Sequence, residues 1–123
     1  MPFISTTSKK QIETECNAIS KLQEKCESCN QFRGKVAKSI FIYQVYPDYK
    51  TEDGPAMLAI ADFDGYGYAI YAPDYLTDEQ LVVFEFLLRD VDNNDKFVVF
   101  SQRTYDAVKK YSHGKLVSVK LHV

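Results

Sequence analysis

The residues able to do chemistry are few, and they fall in three short stretches. Cys26-Glu27-Ser28-Cys29 has the spacing that can supply half a zinc site or a thiol–disulfide pair. Zinc needs further ligands, and only Cys16, His113 and His122 are there to complete the set. A redox thiol gains its low pKa at a helix N-terminus, whereas this pair falls near a helix C-terminus, where the dipole disfavours a thiolate. All three cysteines sit on one apolar stripe, Ile12, Cys16, Ile19, Leu22, Cys26 and Cys29, where cysteine packs as a small hydrophobe. We read them as core residues.

The second stretch, Asp90-Val91-Asp92-Asn93-Asn94-Asp95, begins like an EF-hand loop. That loop needs Gly at its sixth position to turn and Glu at its twelfth to bind bidentately, and Asp95 and Ser101 stand there instead. It reads as a solvated turn. The third stretch holds Asp62 and Asp64, which flank a hairpin tip and could share a cation. Nucleophilic catalysis has no base: His113 belongs to a helix's last turn and His122 to the polar face of a strand. No GxSxG elbow is present, and Gly65-Tyr66-Gly67 is too short for a dinucleotide fingerprint. No catalytic residue, metal ligand or cofactor is assigned.

The elements that would position these residues centre on a hairpin over residues 57–72. Asp64-Gly65 between two alternating apolar runs predicts a two-residue type I′ turn, pairing Phe63 with Tyr66, Ala61 with Tyr68, Ala59 with Ile70 and Met57 with Ala72. Both faces are largely apolar, so the hairpin belongs in the middle of a sheet. Upstream, Ser8 and Gln11 fit a capping box, and the apolar stripe predicts a long helix from Lys9 to Arg33, closed by Gly34. Residues 1–7 are expected to be a flexible N-terminus. Val36–Tyr46 is rich in β-branched and aromatic residues and stops at Pro47, which predicts a strand. A polar loop, 47–55, then leads into the hairpin.

Thr77-Asp78-Glu79-Gln80 is a second capping box, so the apolar run 81–88 is read as helix rather than strand. Phe97–Ser101 reads as a short strand. Thr104 is expected to cap a helix ending near Gly114, and Val117, Val119, Leu121 and Val123 alternate as a final strand. The expected fold is a single α+β domain spanning residues 1–123, in the order α-β-β-β-α-β-α-β. A central, mainly antiparallel sheet, with the hairpin at its middle, is packed by the long N-terminal helix. That order over residues 9–101 is similar to the core order of the PD-(D/E)xK nucleases. In that family an acid on the second strand and an acid-x-Lys on the third hold Mg²⁺ and activate water. Asp62 could stand for the first acid, but the third strand reads Tyr68-Ala69-Ile70-Tyr71, without carboxylate or lysine. The resemblance is one of topology and points to a catalytically dead relative before an active nuclease of this type.

Composition narrows the function classes. The chain has 123 residues, 46% hydrophobic and 26% charged, enough for one core without disulfides or metal. No apolar run reaches a membrane span, and MPFISTTSKK lacks the basic and apolar regions of a signal peptide, so a cytoplasmic location is expected. The net charge of −2 divides into +3 over residues 1–45, −10 over 46–95 and +5 over 96–123. Nine Tyr and eight Phe, with no Trp, leave Tyr46, Tyr49, Tyr66 and Tyr75 in loops or at strand ends beside acids. An acidic, Tyr-bearing rim suits a protein interface and suits nucleic acid poorly, since phosphates need Lys and Arg.

The leading expectation is therefore a non-catalytic, stoichiometric binder of another protein, inhibitor- or immunity-like, masking a basic site on its target. Its contact residues would be Asp48, Tyr49, Glu52, Asp53, Asp64, Tyr66, Asp74 and Tyr75. Two alternatives are a metal-dependent nuclease, or its dead relative, centred on Asp62 and Asp64, and a binder of a small anionic ligand or nucleotide between the hairpin and the basic tail. A homo-oligomer is compatible with each.

Overall fold

A long helix, a three-strand meander and two helix–strand units follow one another along the chain. The computed structural model describes residues 9–45, 56–92 and 95–122. Helix α1 (Lys9–Glu27) precedes β1 (Ser39–Val45), β2 (Ala56–Phe63) and β3 (Gly67–Tyr71). Two short helices, α2 (Asp78–Leu81) and α3 (Val83–Leu87), lead to β4 (Lys96–Val99), and α4 (Gln102–Tyr111) leads to β5 (Ser118–Leu121). The result is the expected α+β domain, with one five-stranded sheet in sequential order.

The meander β1–β2–β3 is antiparallel, with registers of seven and five residue pairs, and so dominates the pairing. Strands β3, β4 and β5 run parallel, because a helix carries the chain back before each new strand. Helix α1 covers one face over a floor of Ala59, Ala61 and Ala69, with Leu22, Cys26, Phe32 and Phe63 in the same cluster. Helices α2, α3 and α4 cover the other face through Leu81, Phe84, Leu88, Ala107 and Val108, against Leu58, Ile60, Ile70 and Val99. Phe84 and Leu22 are fully buried, and each side chain of that kind contributes about 2–3 kcal/mol by leaving water. Among the described residues, no helix is long and apolar enough to cross a membrane.

Several local expectations need correction. The hairpin turns on three residues, not two: Phe63 pairs with Gly67 and Asp62 with Tyr68, so every partner moves by one. The Tyr66 N–H donates to the Phe63 carbonyl at 2.6 Å, with Gly65 at φ +85° and Gly67 at φ +112°. Asp64 stays at negative φ, so a type I′ turn, which needs both central residues positive, does not form. Packing explains the choice. This register sets Ala69 opposite Ala61 under α1, whereas the two-residue turn would put Tyr68 there. A one-residue shift exchanges the faces of β3.

Helix α1 ends at Glu27, six residues early, and turns carry the chain to Gly34 at φ +75°. The Arg33 Nε–H caps the Glu27 carbonyl at 3.0 Å, and leaving the helical path lets Phe32 stack on Phe63, ring centroids 4.4 Å apart. Burial on α1 begins at Ala18, so Ile12 and Cys16 are exposed rather than core. The cap of α4 is Ser101, whose extended backbone aims its Oγ at the Thr104 N–H; Thr104 is buried at the third helical position. Val117 lies before β5 and is exposed, so the one-sided strand is Val119 and Leu121. The Thr77–Gln80 box forms as expected, and the helical run after it breaks at Val82. Ser8 lies outside the described residues.

Candidate functional site

The hairpin tip is where polar groups converge. Asp62 is the penultimate residue of β2, and its carbonyl accepts the Lys38 N–H at 2.7 Å. Across the ladder it faces Tyr68, which in turn lies beside Phe97 of β4, their rings stacked at 5.0 Å. The parallel β3–β4 pairing brings the start of β4, with Asp95 and Lys96, alongside the tip. An open cavity of about 340 Å³ results, with Lys38, Asp62, Asp64, Tyr68, Asp95 and Lys96 in its wall.

Tyr68 reports the field at this place. Burial pushes its phenol above the usual tyrosine value, and the carboxylates of Asp62, Asp95, Asp64 and Asp92 push it further. Four acids from three segments therefore act on one half-buried hydroxyl. Tyr66 stands beside them, 52% exposed, with the Lys35 ammonium 4.5 Å from its ring centroid. The Tyr66 carbonyl accepts from Gln31 Nε2 at 2.6 Å, which ties the tip to the turns after α1.

The four anticipated contact residues that are described lie at two places. Asp64 and Tyr66 sit at the tip, while Asp74 and Tyr75 follow the far end of β3, separated by about 13 Å of strand. Tyr75 is exposed, and burial, with Tyr75 and Asp74 nearby, raises the pKa of Tyr71. Asp48, Tyr49, Glu52 and Asp53 lie outside the described residues. Tyr68, Asp92 and Asp95 join the tip without any local sequence signal, because only the parallel pairing of β3 and β4 brings them there.

Two of the three cysteines behave as core, and Cys16 does not. Cys26 and Cys29 are buried, and burial, with Cys29 and Glu27 adding, pushes the Cys26 thiol up to about 12. A reactive thiol needs the opposite shift. His113 lies beyond α4 at φ +52°, with Nε2 3.9 Å from Glu85, and His122 packs edge-on to Phe100. Asp92 and Asp95 close a turn through the Asp95 N–H. Among the described residues, no three His, Cys, Asp or Glu side chains are grouped to hold a metal ion. The expected helix–meander–helix–strand order is present, and β3 carries Tyr68 and Tyr71 with neither a carboxylate nor a lysine. No family model, curated protein or solved structure matches the chain.

Proposed function

We propose that the chain is a non-catalytic binding protein that associates stoichiometrically with another protein and masks a basic site on it, as an inhibitor or immunity protein does. One observation supports this above the rest: Asp62, Asp64 and Asp95 line one cavity with Tyr68, at the hairpin tip that also carries the exposed Tyr66. Such a surface offers a cationic target a cluster of carboxylates and a rigid aromatic contact. Lys38 and Lys96 in the same wall set the orientation of the partner, since a misplaced cation meets like charge. Asp74 and Tyr75, at the far end of β3, form a second contact only with a target broad enough to span the strand.

The test uses the partner recovered with the tagged chain from its host's lysate. Charge reversal at the tip (Asp64→Lys with Asp95→Lys) should weaken that complex about tenfold or more and flatten its salt dependence. Reversal away from the tip, Lys109→Glu, should leave it unchanged. Equal affinity for the wild type and the tip variant overturns the reading. So does Mg²⁺-dependent nucleic-acid cleavage that Asp62→Ala abolishes, which would make the chain a nuclease.

A further inference from the structure

Among the described residues, strand β1 ends the sheet on one side and β5 on the other. The two edges are built differently. β5 has four residues and carries Lys120, a short and charged edge that discourages further pairing. β1 has seven residues, SIFIYQV, with no charge and no proline, and its register with β2 runs unbroken, so no bulge turns it away. Proteins protect long apolar edges or use them.

The side chains of β1 also point to a covering partner. Phe41 is 47% exposed, and Ile40 and Ile42 are only half-buried on the α1 side. Helix α1 does not roof that side: an apolar groove of about 380 Å³ lies between α1 and the sheet beside Ile40, with Val36 almost fully exposed at its wall. We infer that the β1 edge pairs with the β1 edge of a second copy of this chain, antiparallel about a two-fold axis at Ile42, to make one continuous sheet. The inference is independent of the function proposed above.

Two features select a second copy in this orientation. The strand is self-complementary: Ile42 meets the partner's Ile42, and Phe41 meets the partner's Tyr43 on the opposite face, with no like charges opposed. The flanking cations are one-sided as well. Lys35 and Lys38 precede β1, so antiparallel pairing sets the two copies of Lys38 about 27 Å apart along the strand. Parallel stacking would set them side by side. Because the pairing uses up the β1 edge of each copy and leaves only the short, charged β5 edges, it closes at two copies.

Native mass spectrometry and light scattering of the full chain should give twice 14.1 kDa at micromolar concentration. Ile42→Lys opposes like charges on the axis and should give a monomer, as should Ile42→Glu. An equimolar mixture of the two should restore a dimer containing one of each, a rescue that general damage to the fold would not give. Phe41→Lys alters a side chain already half in water, and it should also be monomeric with an unchanged circular dichroism spectrum. If the Ile42 variants fail to fold, Phe41→Lys alone decides. A monomeric wild type, a ladder of higher species, or a dimer that survives Phe41→Lys overturns the inference.

Discussion

Replacing Gly67 by alanine separates two pictures of the central hairpin, because they give the substitution opposite signs. In the observed three-residue turn Gly67 has φ +112°, and a methyl group there would lie 2.7 Å from the Lys96 carbonyl oxygen and 3.0 Å from the Lys96 Cβ. The backbone conformation alone costs an L-residue about 1–2 kcal/mol. The contact with a backbone oxygen cannot be relieved by rotating a side chain, so β4 must shift, at about 1–3 kcal/mol more. The expected loss is about 2–5 kcal/mol, or about 8–20 °C in Tm for a domain of this size. Gly65→Ala is the control: it carries φ +85° with nothing within 4 Å, so it should cost only the conformational part, about 1–2 kcal/mol. Urea unfolding of both variants measures the difference. With a two-residue turn, Gly67 would be an ordinary strand position, and alanine there would stabilise by about 0.4–1 kcal/mol. A Gly67→Ala protein as stable as wild type, or equal to Gly65→Ala, refutes the register and the close approach of β4 to the tip.

Ser101→Ala removes the α4 cap and leaves the buried Thr104 hydroxyl without its 2.8 Å partner; it should cost about 1–3 kcal/mol in urea unfolding, more than an exposed cap. A thiol reagent at neutral pH should modify Cys16 quickly in the native chain and reach Cys26 and Cys29 only after denaturation; three fast thiols would contradict the packing of α1. Because Cys26 is raised from 9.0 to about 12, the unfolded chain releases that proton first, so stability should be full below pH 9 and fall as pH rises from 9 to about 12. Thermal unfolding across that range, wild type against Cys26→Ala, checks the sign. Asp62→Asn and Asp95→Asn should each lower the raised pKa of Tyr68, read as the difference in ultraviolet titration from the same protein carrying Tyr68→Phe.

What the sequence made legible was local. Thr77 and Gln80 declare the start of α2, since the capping box joins neighbours in the chain. The alternation of 56–63 marks a strand buried on both faces. The errors share a cause: two local solutions were available, and tertiary packing chose. Ser101 and Thr104 are both good caps, and the demand to bury Thr104 decides for Ser101. Asp64-Gly65 is a good I′ turn, but three alanines flat beneath α1 are worth more, and the second glycine, Gly67, was the sign of the longer loop. The tip was only half legible. Asp62 and Asp64 adjoin the turn, whereas Asp92 and Asp95 reach Tyr68 through a parallel pairing made across a helical crossover, which leaves no mark in either strand.

The split of the sheet into a meander and a parallel half bears on how the chain emerges from a ribosome. Once Tyr71 is out, α1 and β1–β3 have every partner but Val98 and Phe100 for the face built on Ala59, Ala61 and Ala69. The opposite face of the same strands, Leu58, Ile60 and Ile70, still lacks Phe84, Val99 and Val108, which come up to thirty-seven residues later. At the usual pace of synthesis that is an interval of about 2–7 s in which a formed half-domain shows water an apolar floor. Slowing translation after Tyr71 should lengthen that exposure and raise the share of nascent chains captured by holding chaperones, while the finished fold stays the same.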